Sequence, residues 1–272
     1  MNFFNPKIYW ETRLATNPGL QGVGYTSLGE GYNQWLYRLR RRMFLEEAGS
    51  LRLDWARSSV LDIGSGTGFY VRLWQEIGVR SIMGSDLTEY AVASLQKKFA
   101  RNEFFQLDIG APLALREQFD VISAMDVLFH IIDDRRYEAA IFNVHSLLNP
   151  GGWFILTDNF LHATADRAVH QVSRSLNEVT SILERTGFQI IRRKPMFVLM
   201  NYPIDAKRQI WKSSWKILMY PARKNAFFAY LLGAGLYPIE SALTRLFHEG
   251  PSTELMICRK RDPGTPGRSY AY

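Results

Sequence analysis

From residue 58 onward the apolar positions fall into short continuous runs separated by longer amphipathic stretches. SSVLDI (58–63), SIMGSD (81–86), EFFQLDI (103–109), QFDVISAM (118–125), GWFILTDNF (152–160) and FQIIRRKPMFVLM (188–200) read as strands. Between them TGFYVRLWQEIG (67–78), LTEYAVASLQKKFA (87–100), DRRYEAAIFNVHSLL (134–148) and SLNEVTSILERTG (175–187) carry helical periodicity. Thr88 is an N-cap candidate, Gly78 and Gly187 close their helices, and Asn149-Pro150-Gly151-Gly152 stops another. Strict alternation at this spacing predicts an α/β domain with a parallel sheet covered on both faces. Residues 1–57 are aromatic and glycine-dotted, with a helix from about Tyr32 to Ala48, and read as an N-terminal lid. Residues 58–202 form the core, and 203–250 a helical cap of two or three helices. Residues 251–272 bring a last strand, STELMICRK (252–260), and a Pro/Gly-rich tail that reads as disordered.

The chain has 272 residues, 47% hydrophobic and 22% charged, which excludes global disorder and suits one large domain with smaller attachments. Cys258 is the sole cysteine, so neither an internal disulfide nor a structural zinc cluster is available. The opening MNFFNPKIYWETR turns polar too soon for a secretory segment, and the expected location is the cytoplasm. A formal net charge of +7 raises nucleic acid or an anionic membrane as partners. No nucleic-acid recognition module accompanies the charge, so no specific nucleic-acid partner is expected.

Chemistry concentrates at the strand ends. Gly64, Ser65, Gly66, Thr67 and Gly68 follow VLDI and precede a helix. Glycines there let the backbone turn tightly and approach a ligand. Phe69 stands where a dinucleotide loop needs its third glycine, which disfavours a close-packed pyrophosphate. Asp62 can complement an ammonium or sulfonium group. Asp86, followed by Leu87 at the end of the second strand, can accept both hydroxyls of a ribose, whether from NAD or another adenosyl cofactor. Asp108 ends the third strand within reach of an adenine amino group, with Ile109 placed to lie on the ring.

LDIGSGTG, GSDLT, LDIGAP, FDVISAMDVLFHI and LLNPGGWFILTDNF together resemble the motifs of class I S-adenosylmethionine-dependent methyltransferases, over residues 58–196 and again at 252–260. The resemblance implies a Rossmann-like, doubly wound, mostly parallel seven-stranded sheet in the order 3-2-1-4-5-7-6, with 252–260 antiparallel. It implies S-adenosylmethionine as cofactor, held by Asp62, the glycine loop, Asp86 and Asp108, with Ala124 and Met125 at the methionyl end. The expected reaction is methylation of a small molecule, on an oxygen of a hydrophobic natural product, lipid or glycolipid. An RNA or protein methyltransferase and a non-catalytic SAM- or NAD-binding protein are the alternatives.

His130 and His170 are candidate bases, and Tyr32 and Arg174 candidate acceptor contacts. His170 and Arg174 would share one face if 170–174 is helical. Asp126, Asp158 and Asn159 resemble the oxygen set of metal-dependent catechol O-methyltransferases, but the VLFHI text looks like the metal-independent branch, and no metal is expected. Tyr9, Trp10, Tyr25, Tyr32, Trp35 and Tyr37 are candidates to fold over the cofactor mouth, and Arg38, Arg41 and Arg42 to meet an acidic acceptor. Trp211, Trp215 and Leu218 make an apolar face beside Lys212 and Lys216, and 225–239 carries no charge. Residues 205–240 therefore have the composition of a membrane-surface contact or of a roof over a bulky acceptor.

Overall fold

The computed structural model describes residues 4–261, so most of the tail expected to be disordered lies outside the described residues. The core strands are Ser59–Ile63 (β1), Ser81–Asp86 (β2), Glu103–Gln106 (β3), Phe119–Ala124 (β4), Leu148–Asp158 (β5), Phe188–Pro195 (β6) and Glu254–Lys260 (β7). They form one sheet in the order β3-β2-β1-β4-β5-β7-β6, with β7 antiparallel to both neighbours and the remaining pairs parallel. The parallel strands are apolar along most of their length because both faces are covered. Ile63 is level with Ser85 on one side and Ala124 on the other, so the carboxyl ends of β1, β2 and β4 meet where the strand order reverses. Ligands of open α/β sheets bind at such a switch point.

The covering helices, in chain order, are Pro6–Thr16 (α1), Gly29–Gly49 (α2), Phe69–Ile77 (α3), Glu89–Lys98 (α4), Asp134–Leu147 (α5), Leu176–Thr186 (α6), Gln209–Leu218 (α7), Tyr220–Lys224 (α8) and Ala226–Leu246 (α9). Tyr137, Ile141 and Val144 of α5 and Val179 and Leu183 of α6 bury one face of the sheet. Val71 and Trp74 of α3 and Leu95 of α4 bury the other. There they are joined by α2, whose Phe44 ring meets Trp74 edge-on at 4.7 Å. The N-terminal segment is thus more than a lid, since α2 is a packing layer of the core and only α1 is a roof. Glu11 of α1 fastens that roof by accepting hydrogen bonds from the amides of Glu89 (3.1 Å) and Tyr90 (2.9 Å) in the first turn of α4. Those amides have no intrahelical acceptor, which is why a carboxylate belongs there.

The cap does not stand apart either. α9 lies along α2, with Gly233 beneath Trp35 so closely that a Cβ would sit 2.5 Å from the indole. Its buried Glu240 accepts from the amides of Val198 (2.6 Å) and Leu199 (2.8 Å). Those amides are thereby taken from the sheet, and β6 ends at Pro195 instead of running to Met200 as the apolar pattern predicts. A second difference lies at 166–173, where Asp166–Arg167 pairs with Val172–Ser173 in a short antiparallel hairpin. His170 sits in its turn, and Arg174 follows its second strand, so the expected shared helical face does not exist.

Candidate functional site

A cavity of about 860 Å³ opens at the switch point. One wall is backbone and acid: Gly64, Ser65, Gly66 and Thr67 of the loop, Asp86 and Leu87 after β2, Asp108 and Ile109 after β3, and Met125 after β4. The loop holds its shape through the Ser65 amide on the Ser85 carbonyl (2.8 Å) and the Gly68 amide on the Ser65 carbonyl (2.7 Å). Gly64 has φ +70°, and a Cβ there would lie 2.3 Å from Val127, so only glycine fits. Asp86 accepts from the Gly66 amide (2.9 Å) on one oxygen and from the Thr88 amide (2.9 Å) and hydroxyl (2.8 Å) on the other. Burial raises its pKa, and those donors pull it back. The Thr88 donors fill one oxygen, and the oxygen that meets Gly66 keeps a second acceptor direction for a ribose hydroxyl. Asp108 is held by Arg136 and by the Gly110 amide (3.1 Å).

Three residues expected to touch the cofactor stand behind this wall. Ala124 is fully buried between neighbouring strands, and Gly68 at φ +77° gives way to the Phe99 ring. Asp62 is buried beneath the loop and accepts from Ser123 Oγ (2.6 Å), while its Oδ2 has no partner in the protein. Burial pushes its pKa up to about 6, which hydrogen bonds from Ser123 and Ser65 only partly offset. A buried carboxylate oxygen with no donor is completed by a cation or an N–H, and the donor set therefore fits an adenosyl cofactor bearing an ammonium and a sulfonium.

The opposite wall is aromatic and basic. Trp10, Tyr25, Tyr37, Tyr70, Phe197 and Tyr202 line it, together with Arg13, Arg40, His130 and His170. His130 meets Trp10 edge-on at 4.7 Å, and His170 stacks on Tyr9 at 5.6 Å. His130 Nδ1 lies 2.9 Å from the His170 carbonyl oxygen. A carbonyl only accepts, so Nδ1 carries the proton and Nε2 keeps its lone pair. Burial lowers the His130 pKa to about 4, which leaves the ring neutral near pH 7.

Two expected acceptor contacts are elsewhere. Tyr32 is wholly buried and donates to the Met200 carbonyl (2.9 Å), pinning α2 to the end of the β6 segment. Arg174 is also wholly buried, 3.8 Å over the Tyr137 ring, with Nη2 donating to Asp134 (2.7 Å) and to the Ile131 carbonyl (3.0 Å). Both are structural ties and do not line the cavity.

Of the arginines on α2, the one that enters is Arg40. Arg38 stacks on Trp35 at 4.5 Å, Arg41 pairs with Glu76, and Arg42 donates to Thr244 (2.7 Å). Arg40 turns inward between Phe197 (4.9 Å) and Tyr37 (5.6 Å) and forms an ion pair with Asp126, while its Nε has no hydrogen-bond partner. Burial is the largest influence and works against its charge, but the Asp126 carboxylate together with Tyr70 and Tyr37 outweighs it and raises the pKa. The sequence signal was its place between Leu36 and Phe44, four residues from each, a charge inside an apolar stripe.

The same pair bears on the metal question. Asp126, at φ +60°, already faces Arg40 and Thr157. Asp158 is fully buried, its pKa raised to about 7 by burial, and Asn159 is engaged with Ser173 (2.7 Å) and Thr253 (3.2 Å). Among the described residues no group of three His, Cys, Asp or Glu side chains is arranged to hold a metal ion.

A family model described as a methyltransferase domain matches residues 60–152. The chain is 31% identical over 137 residues to the ribosomal protein L11 methyltransferase of Staphylococcus aureus (strain JH1), covering 49% of this chain and 38% of that one. It therefore spans well under half the length of the curated relatives it matches. Among solved structures it is similar to the N-methyltransferase NodS from Bradyrhizobium japonicum WM9 in complex with S-adenosyl-L-homocysteine, with TM-score 0.57, 17% identity, and coverage of 94% of this chain and 99% of that one. It is also similar to an S-adenosylmethionine-dependent methyltransferase from Clostridium acetobutylicum ATCC 824, with TM-score 0.54, 12% identity, and coverage of 83% and 92%. At these identities the structural likeness is one of fold. Residues 60–152 thus carry a methyltransferase domain, and the chain around them has the fold of S-adenosylmethionine-dependent methyltransferases.

Proposed function

We propose that the chain methylates a hydroxyl oxygen of an apolar small molecule. The observation that carries this reading is one continuous cavity of about 860 Å³, which joins the glycine and carboxylate wall to the aromatic wall beneath α1. That volume suits a cofactor together with a modest acceptor, and a roof latched to α4 favours a small molecule over a folded protein or RNA. Aromatic walls favour an apolar acceptor, such as a natural product, lipid or glycolipid.

When bound, S-adenosylmethionine supplies a methyl carbon already activated by a sulfonium. The protein's own work is orientation and exclusion of water. Asp86 and Asp108 hold the nucleoside, and Met125 packs at the methionyl end. Asp62 supplies a buried acceptor behind the loop. Arg40 offers its unmet Nε–H to a carboxylate. His130, fixed by the His170 carbonyl and neutral, accepts the acceptor's O–H at Nε2 and takes the proton as that oxygen loses it. His170 positions His130 through its backbone. With Asp126 neutralised by Arg40, turnover is metal-independent and should survive EDTA.

The test is transfer of radiolabelled methyl from S-adenosylmethionine into an extract of the source cells, followed by solvent partition. Label in the organic phase supports the proposal. Label in precipitated protein or RNA overturns it and makes a macromolecule the substrate.

A further inference from the structure

The helices α7 to α9 leave several large apolar side chains in solvent. Ile210, Trp211 and Ile217 are 65%, 63% and 74% exposed, and Phe227 and Phe228 are 64% and 52% exposed. Their opposite sides are the packed ones, through Trp215, Met219, Ala222, Ala229 and Gly233. Around the exposed face the charge has one sign. Residues 206–239 contain Lys207, Arg208, Lys212, Lys216, Arg223 and Lys224, and no aspartate or glutamate.

α9 is long and apolar enough to cross a membrane, with only 17% of its most apolar 18-residue stretch buried. Its attachments forbid that use. Gly31 packs under Tyr230, Gly233 packs under Trp35, and Glu240 holds the 198–199 backbone, so the helix is bound lengthwise to a globular core. A helix so held presents its free side parallel to a surface.

We infer that α7 to α9 are a membrane-docking face that lays the protein on an anionic bilayer. The charge selects this occupant. A second copy meeting the same face about a twofold axis would set six cations against six cations with no acid to answer them. A nucleic acid would pair with the lysines but gives isoleucine and phenylalanine side chains nothing to enter. An anionic leaflet satisfies both, attracting each cation at the surface and receiving the apolar side chains at its acyl boundary. The docked face adjoins the cavity. Trp215 packs inward against Tyr25 (5.7 Å) and Tyr202 (5.5 Å), two residues of the aromatic wall, and donates to the Leu199 carbonyl (2.9 Å).

The experiment is flotation of the full-length protein with vesicles of equimolar phosphatidylglycerol and phosphatidylcholine, against vesicles of phosphatidylcholine alone. Two surface variants accompany it, Lys212→Glu/Lys216→Glu/Lys224→Glu and Trp211→Asp/Ile217→Asp/Phe227→Asp, with S-adenosylhomocysteine affinity measured on each. Wild type should float with the anionic vesicles at least about tenfold more than with the neutral ones. Each variant should lose about tenfold of that while binding S-adenosylhomocysteine as wild type does. Wild type that stays soluble with both vesicles would overturn the inference. So would flotation unchanged by either variant, or a wild-type dimer that Trp211→Asp/Ile217→Asp/Phe227→Asp dissociates. None of these outcomes depends on the methyl acceptor.

Discussion

The two walls of the cavity are built on different principles. The cofactor wall is made of backbone turns and carboxylates at the ends of adjacent strands, fixed mostly by residues within a few positions or on the next strand, with Arg136 of α5 as the one distant partner, on Asp108. The acceptor wall is made of long side chains from α1, α2, the 128–131 turn, the hairpin turn at 170 and the 197–204 segment. Its contributors come from segments far apart in the chain, and no local motif orders the wall as a whole. Such a wall can be rebuilt one side chain at a time, whereas the first wall tolerates little change at its glycines.

The sharpest break of the first wall is Gly64→Val, which places a branched side chain at φ +70° against Val127. The backbone strain alone costs about 1–3 kcal/mol, and calorimetry should show at least about a hundredfold loss of S-adenosylhomocysteine affinity with the circular dichroism unchanged. Unaltered affinity would place the cofactor elsewhere. In the second wall, Arg40→Met strands Asp126, whose side chain is 20% exposed beside an arginine 11% exposed. Leaving a largely buried charge unpaired costs about 3 kcal/mol, read as a lower denaturant midpoint. Adding Asp126→Asn should recover most of it, and a double variant as unstable as the single one would deny the pairing.

A smaller effect comes from His130. Its folded pKa of about 4 lies below the ordinary value of 6.5, so between those values the unfolded chain binds a proton that the folded chain does not. Stability from this group is complete above pH 6.5 and falls away as the pH drops toward 4. His130→Phe should flatten that part of the stability profile, and the wild-type kcat/KM should show no His130 limb near pH 6.5. An acid limb at pH 6.5 that vanishes in His130→Phe would show a solvated, ordinary histidine. Smallest is Glu11→Ala, which uncaps α4 and loosens α1 for about 1 kcal/mol. The measurable result is a few-fold faster release of S-adenosylhomocysteine in stopped flow, while an unchanged rate would deny that α1 roofs the cofactor.

The same contrast explains what the sequence discloses. The glycine loop, Asp86 and Asp108 are legible because strand, turn and acid are contiguous in the chain, and the alternation of strands and helices fixes which ends they occupy. Arg174 misled because the polar run before it can be helix or hairpin, and Val172, buried in the hairpin, decides for the latter. Tyr32 misled because a tyrosine near a cavity is also a tie for a distant carbonyl, and Met200 is 168 residues away. Arg40 was passed over beside Arg38, Arg41 and Arg42, since helical phase selects it and the contents of the cavity give that phase its meaning.

The seat of α9 on α2 has a consequence for the order in which the molecule is made. Trp35 emerges from the ribosome about two hundred residues before Gly233, its partner, so α2 must wait with that surface uncovered while six of the seven sheet strands are synthesised. Closing so long a loop is slow and late. The nucleotide end of the cavity, complete once β4 has paired, can form while the acceptor end is still open. A substitution that weakens the Trp35–Gly233 contact should therefore lower the yield of correctly folded chain more than the stability of chain already folded.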